Sequence, residues 1–365
     1  MPLKIAKAGG LGLALLAGAA LAQQPAAPDA GAASGDQHLP ATAVVGPGGA
    51  TPPPAPPGGG AAPGPGYRPQ SVVNGVQKTV PEWEDVFNVL DAIDAMPPNS
   101  WVKPKKSRRL LIYSRALGYK HSVIPITAFA ITELGKATGA WTADTSFKLD
   151  DITAQNLAKY DVVVINNATG SFLDDPADAA GTEARKKALL DYVRSGHGLV
   201  LTHAGGDTYH RRTEGLWPEF NQMVGAFFKW HWLYPQEVTV KLDDPGNPIN
   251  AAYAGRPFKV HDEIYTFAQG SFSRANVHVL TSVDYAKMSD ADKAKELPAT
   301  KRTDGDYALS WVRREKSGRV YYNVLGHSEH IYFIPRMLQS LTAGIQYAAG
   351  DLAVDDSPSV KPHGP

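Results

Sequence analysis

The chain has 365 residues, of which 43% are hydrophobic, and it balances 36 Lys and Arg against 36 Asp and Glu. The zero net charge excludes a sequence-wide field that would attract nucleic acid or an anionic membrane. The absence of cysteine excludes disulfides and thiol nucleophiles, and this length allows one large α/β domain or two small ones.

Residues 1–22 match the pattern of a secretory signal peptide. Lys4 and Lys7 precede an apolar run at 9–21, and the small-x-small sequence ALA at 20–22 forms a cleavage site. The apolar run is too short for a comfortable membrane span, although an uncleaved anchor is the alternative. We therefore expect an exported protein, periplasmic or secreted, without stable membrane insertion after cleavage.

The next segments carry little apolar surface until a single predicted helix. Residues 23–69 are mostly Ala, Pro and Gly and cannot bury enough surface to offset the entropy of ordering, which predicts a disordered tether. Residues 70–106 form a lead-in, with apolar residues at helical spacing from Trp83 to Ile93 and a capping box at Thr79 and Glu82. Residues 353–365 are predicted to form a disordered tail.

Strands and helices alternate through the predicted domain, residues 107–352. Continuous Val, Ile and Leu runs between amphipathic helices predict an α/β fold with three layers, in which helices flank a mostly parallel sheet. The predicted strands are RRLLIYS, YDVVVINN, GLVLTH, EVTVKL, NVHVLTSV, YALSWVRR and GRVYYNVLG, and the predicted helices cover residues 122–138, 183–196 and 335–350.

Polar residues gather where the predicted strands end, which is where open parallel sheets bind their ligands. Histidine follows four of five such ends, although only 11 of the 365 residues are histidine. The polar residues in question are His121 after the first strand, Asn166, Asn167 and Thr169 after the second, His203 and Asp207 after the third, His261, Asp262 and Glu263 after GRPFKV, and His327, Glu329 and His330 after the last.

Each of these residues has a structural alternative. His121 could flank its helix, His203 could be a buried histidine bonded to backbone carbonyls, and Asp207 could be a helix N-cap. The adjacent carboxylates Asp262 and Glu263 are the most informative, because carboxylates in an apolar setting cost free energy unless they are paired or bind a ligand. On a strand they point to opposite faces, so one of them is expected to reach the site.

The run FFKWHWLYP, residues 227–235, is rich in aromatic side chains. Core packing is its first explanation. The second is a wall for sugar stacking that includes Trp230, because flat apolar rings match pyranose faces.

Together these residues resemble the ThuA-like family, which is named for trehalose utilisation and has a fold similar to class I glutamine amidotransferases and flavodoxins. The resemblance runs from about Arg108 to Gly350 and rests on the ordered set GYKHS, YDVVVINNATGSFL, GLVLTHAGGDTY, WPEFNQMVGAFF, HDEIYTF, GRVYYNVLGHS and GIQYAAG. The amidotransferases have a cysteine nucleophile on the turn where this chain has His203, so amide hydrolysis through a thioester is excluded here. The resemblance implies a role with disaccharides or keto-type sugars and, in some members, a divalent metal.

Two hypotheses follow for the function. The first is an enzyme in which His203, Glu263 and His327 bind Zn, Mn or Fe, and His121 or Asp207 completes or orients the ligand shell. Acid/base or metal-assisted isomerisation, elimination or hydrolysis of a sugar or keto-sugar would follow, without a nucleotide cofactor. Substrate contacts are predicted at Asn167, Thr169, Asp262 and Trp230.

The second hypothesis is a binding module that recognises a carbohydrate without transforming it. Convergence of His121, His203, Glu263 and His327 on one pocket would favour catalysis, whereas dispersal would favour binding. In both cases the expected partner is a small carbohydrate and not a nucleic acid, and the oligomeric state is left open.

Overall fold

The computed structural model describes residues 70–73, 76–79, 92–211 and 214–359, which lie within one compact unit. The predicted signal peptide and tether and most of the predicted helix around Trp83 lie outside the described residues, as do residues 360–365. Where the sequence predicts a helical lead-in, the structure also has a two-stranded antiparallel hairpin, β1 Gln70–Val73 and β2 Val76–Thr79.

The remaining elements alternate much as the sequence predicts. The strands are β3 Arg109–Tyr113, β4 Thr142–Ser146, β5 Val162–Asn166, β6 Gly198–Thr202, β7 His210–Arg211, β8 Glu214–Gly215, β9 Phe228–Leu242, β10 Phe258–Phe267, β11 His278–Val283, β12 Ala308–Glu315 and β13 Gly318–Asn323. The helices are α1 Ile124–Thr138, α2 Ala154–Leu157, α3 Ala179–Arg194, α4 Pro218–Val224, α5 Asp290–Ala294 and α6 Pro335–Ala348.

In the described residues the central sheet has nine strands in the order β10-β9-β11-β12-β13-β6-β5-β3-β4. The strands β13, β6, β5, β3 and β4 run parallel. The antiparallel strands β9 and β12 bring β10 and β11 back into the direction of the parallel strands. The sheet is therefore mixed and mostly parallel, and the predicted α/β class is confirmed.

The parallel strands lie in the core because every residue of β5 and β6 is buried, as expected for strands covered on both faces. Consecutive residues of β13 show the two faces. Tyr321 packs against Gly344 of α6, where an added Cβ would lie 2.2 Å from the ring, and Tyr322 packs on the turn that follows β6. The helices cover the faces of the sheet, and loops follow the carboxyl ends of the parallel strands.

The β9–β10 ribbon, Phe228–Leu242 and Phe258–Phe267, departs from this regular pattern. The second half of β9 pairs with both β10 and β11, whereas its first half pairs with β10 alone. The ring of Phe267, at the end of β10, contacts Trp311 of β12 and Tyr322 of β13. The far end of the ribbon therefore lies over the sheet and close to the ends of the parallel strands.

Two sequence predictions need correction. His261, Asp262 and Glu263 do not follow a strand, because β10 continues through them to Phe267. The tail is ordered as far as residue 359: Asp356 accepts a hydrogen bond from Tyr347 at 2.9 Å, and the Ser359 amide donates to the Val277 carbonyl. These bonds attach residues 353–359 to the domain. Among the described residues, no helix combines the length and the apolar character that a membrane span requires.

Candidate metal centre

Four side chains from separate parts of the chain converge at the carboxyl end of the parallel strands. His121, His203, Glu263 and His327 each offer one ligand atom, and these atoms all lie within 4.8 Å of one another. The three imidazole rings are 5.0 to 5.2 Å apart by their centroids and stand nearly at right angles to one another. These four residues lie together in the structure, as the sequence predicts.

His203 stands on a tight turn directly after β6. Its backbone has a φ of 34°, in the left-handed region that is unfavourable for residues other than glycine. Tyr322 holds this turn, because its hydroxyl donates to the His203 carbonyl at 2.5 Å and accepts from the Gly206 amide at 3.1 Å. Gly206 is required there, since an added Cβ would lie 2.4 Å from that hydroxyl.

The hydrogen bonds of His203 determine which ring nitrogen faces the cluster as an acceptor. Nδ1 lies 2.8 Å from the Val324 carbonyl, which can only accept, so Nδ1 carries a proton. In the neutral ring Nε2 then has a lone pair, and it faces Glu263 Oε2 at 3.2 Å. Two acceptors at this distance repel each other unless a proton or a cation lies between them.

His121 lies in the loop between β3 and α1, which Thr169 holds in place. The Thr169 hydroxyl donates to the Tyr119 carbonyl at 2.9 Å and accepts from the Gly118 amide at 3.0 Å. Burial, together with the neighbouring imidazoles of His203 and His327, lowers the pKa of His121 to about 2. This imidazole is therefore neutral at physiological pH and able to bind a metal.

His327 follows β13 in a loop that is held by Asp262. This buried carboxylate accepts hydrogen bonds from the Gly326 amide at 2.6 Å, and from the amide and hydroxyl of Ser328 at 3.2 and 2.9 Å. Asp262 therefore positions the loop, while Glu263 faces the ring of His327 at 3.2 Å. The two adjacent carboxylates act on the same histidine in different ways.

Glu263 is the acidic member of the cluster and is almost fully buried. Burial alone would raise the pKa of its carboxyl, but the imidazoles of His203 and His327, which contact its Oε2, and the neighbouring His231 hold that pKa well below its usual value. The carboxylate is therefore ionised. Its negative charge is buried among imidazoles, and a cation at the centre would balance it.

The residues of the cluster fit a divalent metal. Two ligands that are each about 2.1 Å from one ion lie about 3 to 4 Å apart, and both contacts of Glu263 Oε2 measure 3.2 Å. The buried His121 Nδ1 has no hydrogen-bond partner among the described residues. Three imidazoles and one carboxylate are ligands suited to Zn, Mn or Fe.

The other predicted site residues lie around this cluster. Asp207 is not a member and instead contacts His210, with Oδ1 2.6 Å from Nε2. Asn167 is buried, and its amide donates to Thr127, Asn166 and Thr202. These contacts position the loop.

Trp230 lies at the edge of the core and contacts Trp232, with the ring centroids 5.0 Å apart. The exposed His261 pairs with Glu237 on the outside of the ribbon. Substrate contact stays a prediction for Asn167, Thr169, Asp262 and Trp230. The first three of these residues already form hydrogen bonds with other protein groups.

His231 is a further residue beside the cluster, and the sequence does not predict it as a site residue. It lies within an aromatic run that favours a core interpretation, yet its Nδ1 is 3.2 Å from Glu263 Oε1. The one sequence feature that could have indicated His231 is that it is a polar residue within an aromatic run. Its position beside Glu263 depends on the pairing of His231 with Tyr265 across β9 and β10.

The sheet and its cluster define an α/β protein with a histidine-rich candidate metal centre at its strand ends. Comparison with protein families identifies the group to which it belongs: the family described as ThuA, trehalose utilisation, matches residues 109–348. The chain therefore belongs to the ThuA family, and the resemblance seen in the sequence is confirmed.

Solved structures similar to this chain include two ThuA-like proteins. A ThuA-like protein from Bacteroides uniformis is similar with 20% identity and a TM-score of 0.50, over 67% of this chain and 93% of that chain. A ThuA-like protein from Parabacteroides merdae has 16% identity and a TM-score of 0.47, over 67% of this chain and 90% of that one. At these identities the likeness is one of fold. No curated protein matches the chain.

Proposed function

We propose that this ThuA family member is an enzyme that acts on a sugar or keto-sugar by metal-assisted acid/base chemistry of the isomerase, lyase or hydrolase type. The observation that carries the proposal is the convergence of His121, His203, Glu263 and His327, whose ligand atoms lie within 4.8 Å of one another. Membership of a family described by trehalose utilisation supports a carbohydrate as the substrate.

Several residues of the chain would have separate roles in such a site. A divalent metal, when bound, supplies a Lewis acid for a carbonyl or hydroxyl oxygen of the sugar. His203 keeps Nε2 directed at the centre because its Nδ1 is bonded to Val324. Glu263 keeps a negative charge there. Asp207, paired with His210 and 26% exposed at its side chain, is placed to exchange a proton with the solvent side.

Convergence also favours an enzyme over a binding module. Sugar recognition alone needs hydrogen bonds and a stacking surface, and it does not need buried imidazoles grouped around one carboxylate. Strained backbone at His203 points the same way, because strained residues cluster at functional sites. The pKa values of the buried His121 and Glu263 are both lowered strongly, and strongly shifted pKa values cluster at functional sites.

The experiment combines metal analysis with turnover. The purified chain is analysed by mass spectrometry for bound metal and incubated with disaccharides and their 3-keto derivatives, with and without a chelator. We expect about one equivalent of metal and turnover that the chelator removes, and we expect His203→Ala to lose both. A folded wild type without metal, or a His203→Ala variant with full turnover, would refute the proposal.

Export is the second part of the proposal and is supported by the sequence of residues 1–22. We expect the mature chain to begin at Gln23 and to be found outside the cytoplasm. N-terminal sequencing of the protein after cell fractionation tests this, and a chain that keeps Met1 in the cytoplasmic fraction contradicts it.

A further inference from the structure

His231 contacts the candidate metal centre without being one of its four members. Its Nδ1 lies 3.2 Å from Glu263 Oε1. The other oxygen of the same carboxylate, Oε2, lies 3.2 Å from His203 Nε2 and 3.2 Å from His327 Nδ1. The two oxygens of Glu263 therefore have separate surroundings, with Oε2 directed at the cluster and Oε1 at His231.

The ribbon fixes the position of the His231 ring. His231 pairs with Tyr265 across the two strands, and the adjacent Thr266 hydroxyl donates to the Trp230 carbonyl at 3.0 Å. The imidazole stacks on Phe228 with the ring centroids 5.6 Å apart, and its side chain is only 17% exposed. These contacts keep the ring beside Glu263.

The polar atoms of His231 indicate what it does there. Its Nδ1 is buried and makes no well-aligned hydrogen bond among the described residues, which leaves Glu263 Oε1 as the acceptor at hand. A buried N–H without a partner is unfavourable, because it loses its hydrogen bond to water. Donation to Oε1 removes that cost and holds the carboxylate at the same time.

We propose that His231 is a positioning residue that donates its Nδ1 proton to Glu263 Oε1 and so presents Oε2 alone to a divalent metal. The proposal rests on the metal centre proposed above. With Oε1 engaged, Glu263 binds through one oxygen, which leaves a coordination position free for a substrate oxygen. Hydrogen bonds of this kind typically change metal affinity by about 10- to 100-fold.

The test measures the Zn²⁺ affinity of the purified full chain by competition with a chromophoric chelator. We expect His231→Ala to bind Zn²⁺ about 10- to 100-fold more weakly than the wild type. His231→Asn should recover most of that affinity, because its amide can donate to the same oxygen. His210→Ala is the matched control: His210 also contacts the Phe228 ring, at 5.8 Å, but pairs with Asp207 instead of Glu263. It should keep the wild-type affinity.

Two further measurements separate positioning from ligation and from misfolding. The absorption bands of bound Co²⁺ should be the same in His231→Asn as in the wild type, because the ligands are unchanged. Thermal unfolding of the metal-free forms should give equal midpoints for His231→Ala and His231→Asn, so that their difference in affinity is not one of stability.

Each outcome decides the matter. Wild-type affinity in His231→Ala, or equal losses in the Ala and Asn variants, would overturn the positioning role alone. Altered Co²⁺ bands in His231→Asn would make His231 a ligand and also overturn it. A wild type that binds neither Zn²⁺ nor Co²⁺ would overturn the metal centre itself, and this inference with it.

Discussion

The parallel strands and the β9–β10 ribbon supply the candidate metal centre in different ways. His121, His203 and His327 follow β3, β6 and β13, so the shared direction of these strands brings the three histidines to one end of the sheet. Glu263 lies inside β10, at the opposite end of the strand order from β4. It reaches the histidines only because the ribbon lies over the sheet.

Strand topology places the imidazoles, and tertiary packing places the charged carboxylate. Strand direction is a local property that the chain repeats along the sheet. The position of the ribbon depends on contacts between distant residues, such as those of Phe267 with Trp311 and Tyr322. If the two regions act as one site, the loss of a ligand from either one should affect metal binding.

Removing one ligand from each region should have the largest effect. We expect both His203→Ala and Glu263→Gln to weaken Zn²⁺ binding by about a thousandfold or more, or about 4 kcal/mol, because each loses a direct ligand. Chelator competition measures this. Wild-type affinity in Glu263→Gln would mean that the ribbon is not part of the centre.

Asp262→Asn tests the hydrogen bonds that connect the β9–β10 ribbon to the loop after β13. Asp262 of the ribbon accepts four hydrogen bonds from the His327 loop, and the loss of a buried charged acceptor should cost about 2 to 3 kcal/mol of unfolding free energy. Urea unfolding measures it. Ser328→Ala, which removes a single hydroxyl donor, should cost about 1 kcal/mol, and equal costs in the two variants would count against this role of Asp262.

Tyr322→Phe tests the turn that carries His203. The variant leaves the Gly206 amide and the His203 carbonyl without their partner, which should cost about 1 to 2 kcal/mol and also weaken Zn²⁺ binding. Tyr321→Phe is the control on the opposite face of the same strand, against Gly344. It should leave Zn²⁺ affinity unchanged, and a matching loss in that variant would contradict the role of Tyr322.

Asp161→Asn should affect only the stability of the parallel strands and should leave the candidate metal centre unchanged. Burial raises the pKa of Asp161, but hydrogen bonds from Lys106, the Arg109 amide and Arg108 outweigh it and lower that pKa below its usual value. A lowered carboxyl pKa stabilises the fold above the ordinary value, and the stabilisation is lost as the pH falls through the lowered one.

We therefore expect Asp161→Asn to lose about 1 to 2 kcal/mol at pH 7 and to approach the wild type near pH 3. Urea unfolding at both values checks this. Zn²⁺ affinity at pH 7 should not change, and a constant difference at all pH values would show that the carboxylate charge is not responsible.

Sequence patterns suffice for the elements whose order follows from local chemistry. The apolar runs of β5 and β6 identify buried strands, and small residues after β6 identify the turn that carries His203. The choice of Asp262 and Glu263 as candidate site residues also follows from the sequence, because two adjacent carboxylates in an apolar run need partners. The location of these two residues inside β10 does not follow from the sequence, because no local sequence signal shows where a strand that contains polar residues ends.

The sequence alone therefore determined the α/β class, the ThuA resemblance and the three histidines at the strand ends, because periodicity and strand direction are encoded locally. Tertiary structure decided which carboxylate joins them, the separate task of Asp262 and the presence of His231 beside Glu263. These depend on a long ribbon that lies over the sheet, and the free energy that holds it there comes from contacts between residues far apart in the chain.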